Sequence, residues 1–229
     1  MRFLSALSFL FLVCTVQSQI IQDSVEVDDK YLEDQFYLGL TYNFLLDKPD
    51  PVNQSNLSYG LQGGLIKDLP LNLRRNVALG IGLGYGYYSY YSNLLSTELD
   101  EGFEYSILED EDVFKRNKIE THVLEMPLQF RWRNSTAESH KFWRIYAGVK
   151  VGYLVGGRSK YVPRVGPKET FYNGDIRKFQ YGLTFNFGYN TFNLHAYYGL
   201  NNLFNDGVLL NGSPFTIRPL RLGLIFYIL

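Results

Sequence analysis

The stretch VALGIGLGYGYY, residues 77–88, decides the fold. From Ala78 every second residue is small: Ala78, Gly80, Gly82, Gly84 and Gly86. Between them stand Val77, Leu79, Ile81, Leu83, Tyr85 and Tyr87. A period of two is the signature of a strand with two unlike faces. Glycine weakens a strand interior, because it loses the most entropy on ordering and packs nothing. A strand with one greasy face and one nearly bare face therefore belongs where bulk on the bare side must be limited.

The same alternation recurs to the last residue. It predicts eight strands, at about 35–46, 57–67, 76–91, 118–133, 141–155, 176–189, 191–201 and 215–229. No segment carries a convincing helical period. The connections alternate in length. Segments 47–56, 92–117, 156–175 and 202–214 are long, whereas 68–75, 134–140 and the turn at Asn190 are short. An even number of strands with short turns on one side and long loops on the other describes an up-and-down β-barrel of the outer-membrane kind.

Alternation alone does not say which face points inward, because a soluble lipocalin-like barrel alternates too. The composition of the second face decides. Phe179, Tyr181, Leu183, Phe185, Phe187 and Tyr189 oppose Gln180, Gly182, Thr184, Asn186 and Gly188. Leu124, Met126, Leu128, Phe130 and Trp132 oppose Val123, Glu125, Pro127, Gln129 and Arg131. A water-facing exterior would be crowded with Lys, Glu and Asp. Gly, Thr, Asn and Gln with isolated charges suit a narrow, filled interior, so the apolar face meets lipid. The glycines of 80–86 then make room for Arg and Tyr side chains from other strands. The resulting fold is all-β: an eight-stranded antiparallel transmembrane barrel with a side-chain-filled lumen.

Aromatic residues fit that orientation. Trp132 and Trp143 flank one short turn, with Tyr189 at the next, where an interfacial girdle would lie. Tyr85, Tyr87, Tyr88, Tyr90 and Tyr91 cluster toward the opposite end of their strand. The sequence closes on RLGLIFYIL (221–229). There Arg221, Gly223, Phe226 and Ile228 approximate the polar–x–Gly–x–x–aromatic–x–hydrophobic pattern of outer-membrane insertion signals, although Leu229 replaces the usual terminal aromatic.

The N-terminus reads as a secretory signal peptide over residues 1–18, with Arg2, an apolar run from Phe3 to Cys14, and Val16 and Ser18 before the expected cleavage. Cys14 is the sole cysteine, so the mature chain is expected to lack thiol chemistry. Residues 19–34 form an acidic lead without periodicity, and 35–229 form the barrel. No run approaches the roughly 20 apolar residues that a spanning helix needs. The formal net charge of −1 gives a nucleic-acid partner no electrostatic support.

The stretches LEMPLQFRWRNSTAESHKFWRIYAGVKVGYL (124–154), FQYGLTFNFGYNTF (179–192) and RLGLIFYIL (221–229) resemble the PorT-like outer-membrane β-barrel family of Bacteroidota. The resemblance covers nearly the whole mature chain. It implies an integral outer-membrane protein in contact with lipid and lipopolysaccharide, inserted by the barrel-assembly machinery. Some members act in type IX protein secretion and gliding, and many carry only a general porin-family description. It brings no catalytic motif.

The chemistry expected of the residues is modest. Glu125, Arg131, Arg144, Lys150, His195 and Arg221 all fall on the inferred lumen face, and buried charges are tolerable only when paired. They are expected to form a salt-bridged plug with Glu125 as the anion; the competing reading is a polar path or anion site. Cations outnumber anions there, so other acids, water or tyrosine hydroxyls must help. The loop 99–118 carries Asp100, Glu101, Glu104, Glu109, Asp110, Glu111 and Asp112 without EF-hand spacing. It reads as a solvated loop before a cation site, with partner docking kept open. His122, His140 and His195 lie at different levels, and none is followed two residues later by serine. The expectation is therefore a non-enzymatic barrel without cofactor or metal, serving a structural or interaction role. A small porin or ligand carrier is the alternative, and a surface lipid-modifying enzyme comes third.

Overall fold

The computed structural model describes residues 34–54, 56–110, 113–134, 143–190 and 192–228. The signal peptide, the lead up to residue 33, His140 and Leu229 lie outside the described residues. The first half of the chain supplies β1 (Asp34–Leu46), β2 (Tyr59–Pro70), β3 (Val77–Tyr91), β4 (Leu94–Glu98), β5 (Phe103–Ile107) and β6 (Phe114–Arg133). The second half supplies β7 (Trp143–Pro163), β8 (Glu169–Tyr172), β9 (Phe179–Tyr189), β10 (Phe192–Gly199), β11 (Leu209–Leu210), β12 (Ser213–Pro214) and β13 (Arg218–Ile228).

Eight of these close into an antiparallel barrel, in the order β6-β3-β2-β1-β13-β10-β9-β7, with β7 returning to β6. The first and last barrel strands lie side by side, from Phe36 opposite Ile228 to Leu46 opposite Arg218. Closure leaves the circle no free edge, so each strand has a hydrogen-bonding neighbour on both sides. The tight turn after β9 keeps Tyr189 opposite Phe192 and holds Asn190 at a φ of 54°, a left-handed conformation that asparagine tolerates.

The faces sort as the alternation predicts. On β9 every odd residue from Phe179 to Tyr189 is exposed and every even one is buried. On β6, Leu124, Met126, Leu128, Phe130 and Trp132 point out, while Glu125, Gln129 and Arg131 are buried. Polarity is thus inverted relative to a water-soluble barrel: apolar outside, polar within.

The glycine row explains itself at close range. A Cβ on Gly80 would stand 2.6 Å from Arg131 Cδ, and one on Gly82 2.6 Å from Ile66 Cγ1. At Gly84 it would strike the Tyr37 hydroxyl and come within 2.8 Å of the Gly63 carbonyl oxygen. The bare face of β3 is the space that side chains of β1, β2 and β6 occupy. Gly84→Val is expected to destabilise the barrel by about 1–3 kcal/mol through overpacking. Urea unfolding of the refolded protein would read this as a lower midpoint. Leu83→Val, on the exposed side of the same strand, should shift the midpoint little.

Three of the long connecting segments depart from the sequence reading. The stretch 92–117 is not an open loop: Leu94–Glu98 and Phe103–Ile107 pair as a hairpin, and β6 begins at Phe114. The stretch 156–175 is largely strand, because β7 runs on to Pro163 and pairs with β8. In the 202–214 segment, β11 and β12 form a two-residue ladder. Beyond the membrane-sized belt both faces of a strand can be polar, so the alternation that marks the barrel fades while the ladder continues.

Segments from the long-loop side pack together over the barrel mouth. Val52, Leu94, Tyr105, Ile176, Leu203, Phe204, Leu210 and Ile217 join Leu45, Tyr88, Tyr90, Ile119 and Val123 of the barrel strands in one buried apolar cluster. Tyr105 sits edge-on to Phe204 at 5.4 Å, and Phe103 stacks on Phe171 at 5.7 Å. The Tyr105 hydroxyl donates to Asn173 Oδ1 at 3.1 Å, and Asn173 Nδ2 donates to Ser159 Oγ at 3.0 Å. Burial pushes the Tyr105 phenol up, against the lowering effect of its Asn173 hydrogen bond.

Candidate functional site

The charged residues inside the barrel fall into two tiers. The tier nearer the long loops centres on Glu125, which projects from β6 into the lumen. Glu125 Oε2 lies 2.8 Å from Lys150 Nζ of β7, and Oε1 lies 3.5 Å from Arg221 Nη1 of β13. The Tyr88 hydroxyl donates to Glu125 Oε1 at 2.6 Å. Lys150 also donates to Gln62 Oε1 at 2.5 Å, and Arg221 Nε donates to the Tyr90 hydroxyl at 3.0 Å. Two cations face one carboxylate, and aromatic rings hold the excess charge. The Arg221 guanidinium lies 3.4 Å over the Tyr88 ring and 4.5 Å from that of Tyr197. Such contacts stabilise a desolvated cation by about 2 kcal/mol or more.

The second tier lies toward the short turns and centres on Asp68 of β2. Arg131 Nη1 pairs with Asp68 Oδ1, and Arg133 Nη1 lies 3.1 Å from Oδ2. Arg131 Nη2 donates to Gln35 Oε1 at 2.7 Å, and Arg133 Nε to the Arg75 carbonyl at 3.0 Å. The Arg131 guanidinium also sits 3.9 Å over Tyr146 and 5.0 Å from Tyr227, two rings that meet edge-on at 5.5 Å.

Every residue expected in the lumen is there and buried, but they do not form one network. Glu125 gathers Lys150 and Arg221. Arg131 belongs to the Asp68 tier instead, and the Arg144 guanidinium lies 6.0 Å from the Tyr227 ring. His195 Nδ1 donates to Asn186 Oδ1 at 2.5 Å, away from the carboxylates. Asp68 is the residue that sequence reasoning misses, because the alternation ends the strand at residue 67 and gives Asp68 to the following turn. Extending the inward row Gly60, Gln62, Gly64, Ile66 by one step would have found it. Tyr88 and Tyr90 are a second correction: they are fully buried lumen residues that serve Arg221 rather than rim aromatics.

The remaining aromatics of the expected girdle lie toward the two ends of the barrel strands. Trp143 lies 5.3 Å from Phe187 and 5.1 Å from Tyr189, with Trp132 on the neighbouring strand at the same short-turn end. At the long-loop end, Tyr85 hydrogen-bonds His122, and the Tyr87 ring lies 5.2 Å from that of His122. In the closing strand Gly223 stands between Thr41 and His195, and a Cβ there would collide with the Leu40 carbonyl. Phe226 packs edge-on against Phe192 at 5.8 Å, and Ile228 is exposed.

Two open concavities of about 500 and 350 Å³ lie on the outer face, where the small side chains of Ala147 and Ala196 leave notches between Leu183, Phe185, Phe187 and Leu194. Among the described residues, no three His, Cys, Asp or Glu side chains group to hold a metal ion.

No curated protein matches the chain. The family model described as "outer membrane protein beta-barrel domain" matches residues 17–205. The match spans seven of the eight barrel strands, and β13 closes the circle beyond it. With a closed barrel, an apolar exterior and a charged, filled interior, the chain belongs to the outer membrane protein beta-barrel domain family.

Proposed function

We propose that the protein is a non-enzymatic integral barrel of the outer membrane, of the PorT type found in Bacteroidota, with a structural or interaction role accessory to type IX protein secretion. The observation that carries this reading is the double obstruction of the lumen. Two ion-paired tiers cross the interior, and an apolar cap covers one mouth. A barrel of about eight strands leaves room for side chains and little else. A transport path would need these buried pairs broken, and stranding a buried charge costs about 3–5 kcal/mol. Contact with partner proteins then falls to the outside of the cap, formed by the loops that ordinarily face the exterior. The partners are other outer-membrane secretion components, with the barrel-assembly machinery acting during insertion.

Two measurements test the proposal. Reconstituted in planar bilayers, the protein is expected to show no steady unitary conductance; a regular open level would favour a small porin instead. Crosslinking in intact outer membranes is expected to join residues of the cap, such as Glu101 or Glu104, to a larger outer-membrane assembly. Recovery of the monomer alone would remove the interaction role.

A further inference from the structure

We propose that the outward face of the β6–β7 extension binds the phosphate groups of an outer-leaflet lipid headgroup. The assignment rests on the membrane reading above and adds a ligand to it.

On β6 the outward row is apolar from Trp132 through Phe130, Leu128, Met126 and Leu124. The nine-residue segment 124–132 that carries this row matches the roughly 9–11 that a tilted strand needs to cross the hydrocarbon. Beyond them the same face continues as His122, Glu120, Lys118 and Arg116. The neighbouring strand behaves alike. Its apolar row ends at Val155, the ladder shifts register between His122 and Val123, and Arg158 and Lys160 follow. Lys168, on the connection to β8, is exposed nearby. The cations therefore begin at the depth where lipid headgroups lie, on the outward face, where Arg116 and Lys168 are exposed, Arg158 and Lys160 half-buried, and Lys118 is covered by its neighbours.

The arrangement is unfavourable without an anion. Lys118 and Lys160 stand directly opposite each other across the ladder, and like charges so placed destabilise a sheet. Glu120 is already engaged: it pairs with Lys118 and accepts from the Tyr87 hydroxyl at 3.0 Å. Lys118 additionally lies 5.1 Å over the Tyr91 ring. Among the described residues, Arg116, Lys160 and Lys168 make no ion pair. The Lys160 ammonium is held below the usual lysine range, first by burial and then by Lys118, Lys168 and Arg116, with Glu120 acting the other way. A phosphate monoester brings up to two negative charges and several acceptor oxygens, which suits lysine and arginine donors. Continuity with the apolar belt selects a lipid as its carrier, since acyl chains would lie along Leu124 and Tyr153 while the headgroup reaches the cations.

Native mass spectrometry of the intact barrel in a neutral detergent tests this. Heat-modifiable gel migration first establishes folding. If the protein does not fold in detergent, the membrane reading fails before any lipid is added. The folded barrel is then titrated with phosphatidic acid, phosphatidylcholine and inorganic phosphate. Phosphatidic acid is expected to bind at least ten-fold more tightly than phosphatidylcholine. Each basic residue near a membrane surface contributes about five-fold in affinity, so Lys160→Gln with Lys168→Gln should weaken phosphatidic acid about 25-fold. Both residues lie outside the lumen tiers, and an unchanged migration would show that the variant folds. Arg74→Gln, on the exposed short-turn side, should change nothing. Equal affinity for the two lipids, or an unaffected double variant, overturns the proposal. Inorganic phosphate binding as tightly as phosphatidic acid overturns the lipid assignment in favour of a soluble anion.

Discussion

Glu125→Gln is expected to lower the unfolding free energy of the barrel by about 3–5 kcal/mol. The substitution keeps the shape of the side chain and removes its charge. Lys150 and Arg221 then remain buried with no carboxylate, the Lys150 contact at 2.8 Å and the Arg221 contact at 3.5 Å both losing their anion. The Tyr88 and Tyr197 rings beside Arg221 offset part of the cost and cannot replace a charge-assisted hydrogen bond. Lys150→Met is expected to cost less, because Glu125 keeps a guanidinium and the Tyr88 phenol. Equilibrium urea titration of protein refolded in detergent, followed by tryptophan fluorescence and by gel migration, measures both. A Gln variant whose midpoint equals that of the wild type would mean that this tier is hydrated rather than sealed.

Asp68→Ala should be comparably severe. It removes one carboxylate from two guanidiniums at once, since Arg131 and Arg133 share the two oxygens of a fully buried aspartate. The expected loss is again about 3–5 kcal/mol. The second substitution Arg131→Met should recover part of it by removing one of the two buried charges that lose this carboxylate. A non-additivity of about 0.5–3 kcal/mol between the two sites would establish the coupling. Strict additivity would place the energetic partner of Arg131 at Gln35 or Tyr146 instead. The two tiers share no residue, so the Glu125 and Asp68 effects are expected to add.

The barrel was legible because its determinants are local and periodic. The glycine row of β3 and the strict odd–even division of β9 are each visible within a dozen residues. Orientation was legible too, since Gln180, Thr184 and Asn186 form a poor water-facing surface. What escaped is what periodicity does not encode. Asp68 was hidden by its neighbours Leu69 and Pro70, which read as a turn although β2 runs to Pro70. Tyr88 and Tyr90 look like rim residues because they share the tyrosine-rich run 85–91 with Tyr85, Tyr87 and Tyr91, although every second residue of the strand turns inward. The cap joins Val52, Tyr105, Ile176 and Phe204, residues brought together from separate loops by contacts that no local pattern records. Glu125 was found from its face alone, but which cations it would choose depended on register between strands far apart in sequence.

The adjacency of β1 and β13 imposes an order on biogenesis. Phe36 waits for Ile228, so every strand between them is made before the seam can be sewn. During that interval the nascent chain carries two raw edges and a continuous greasy surface through water. It therefore has to travel escorted and zip shut last.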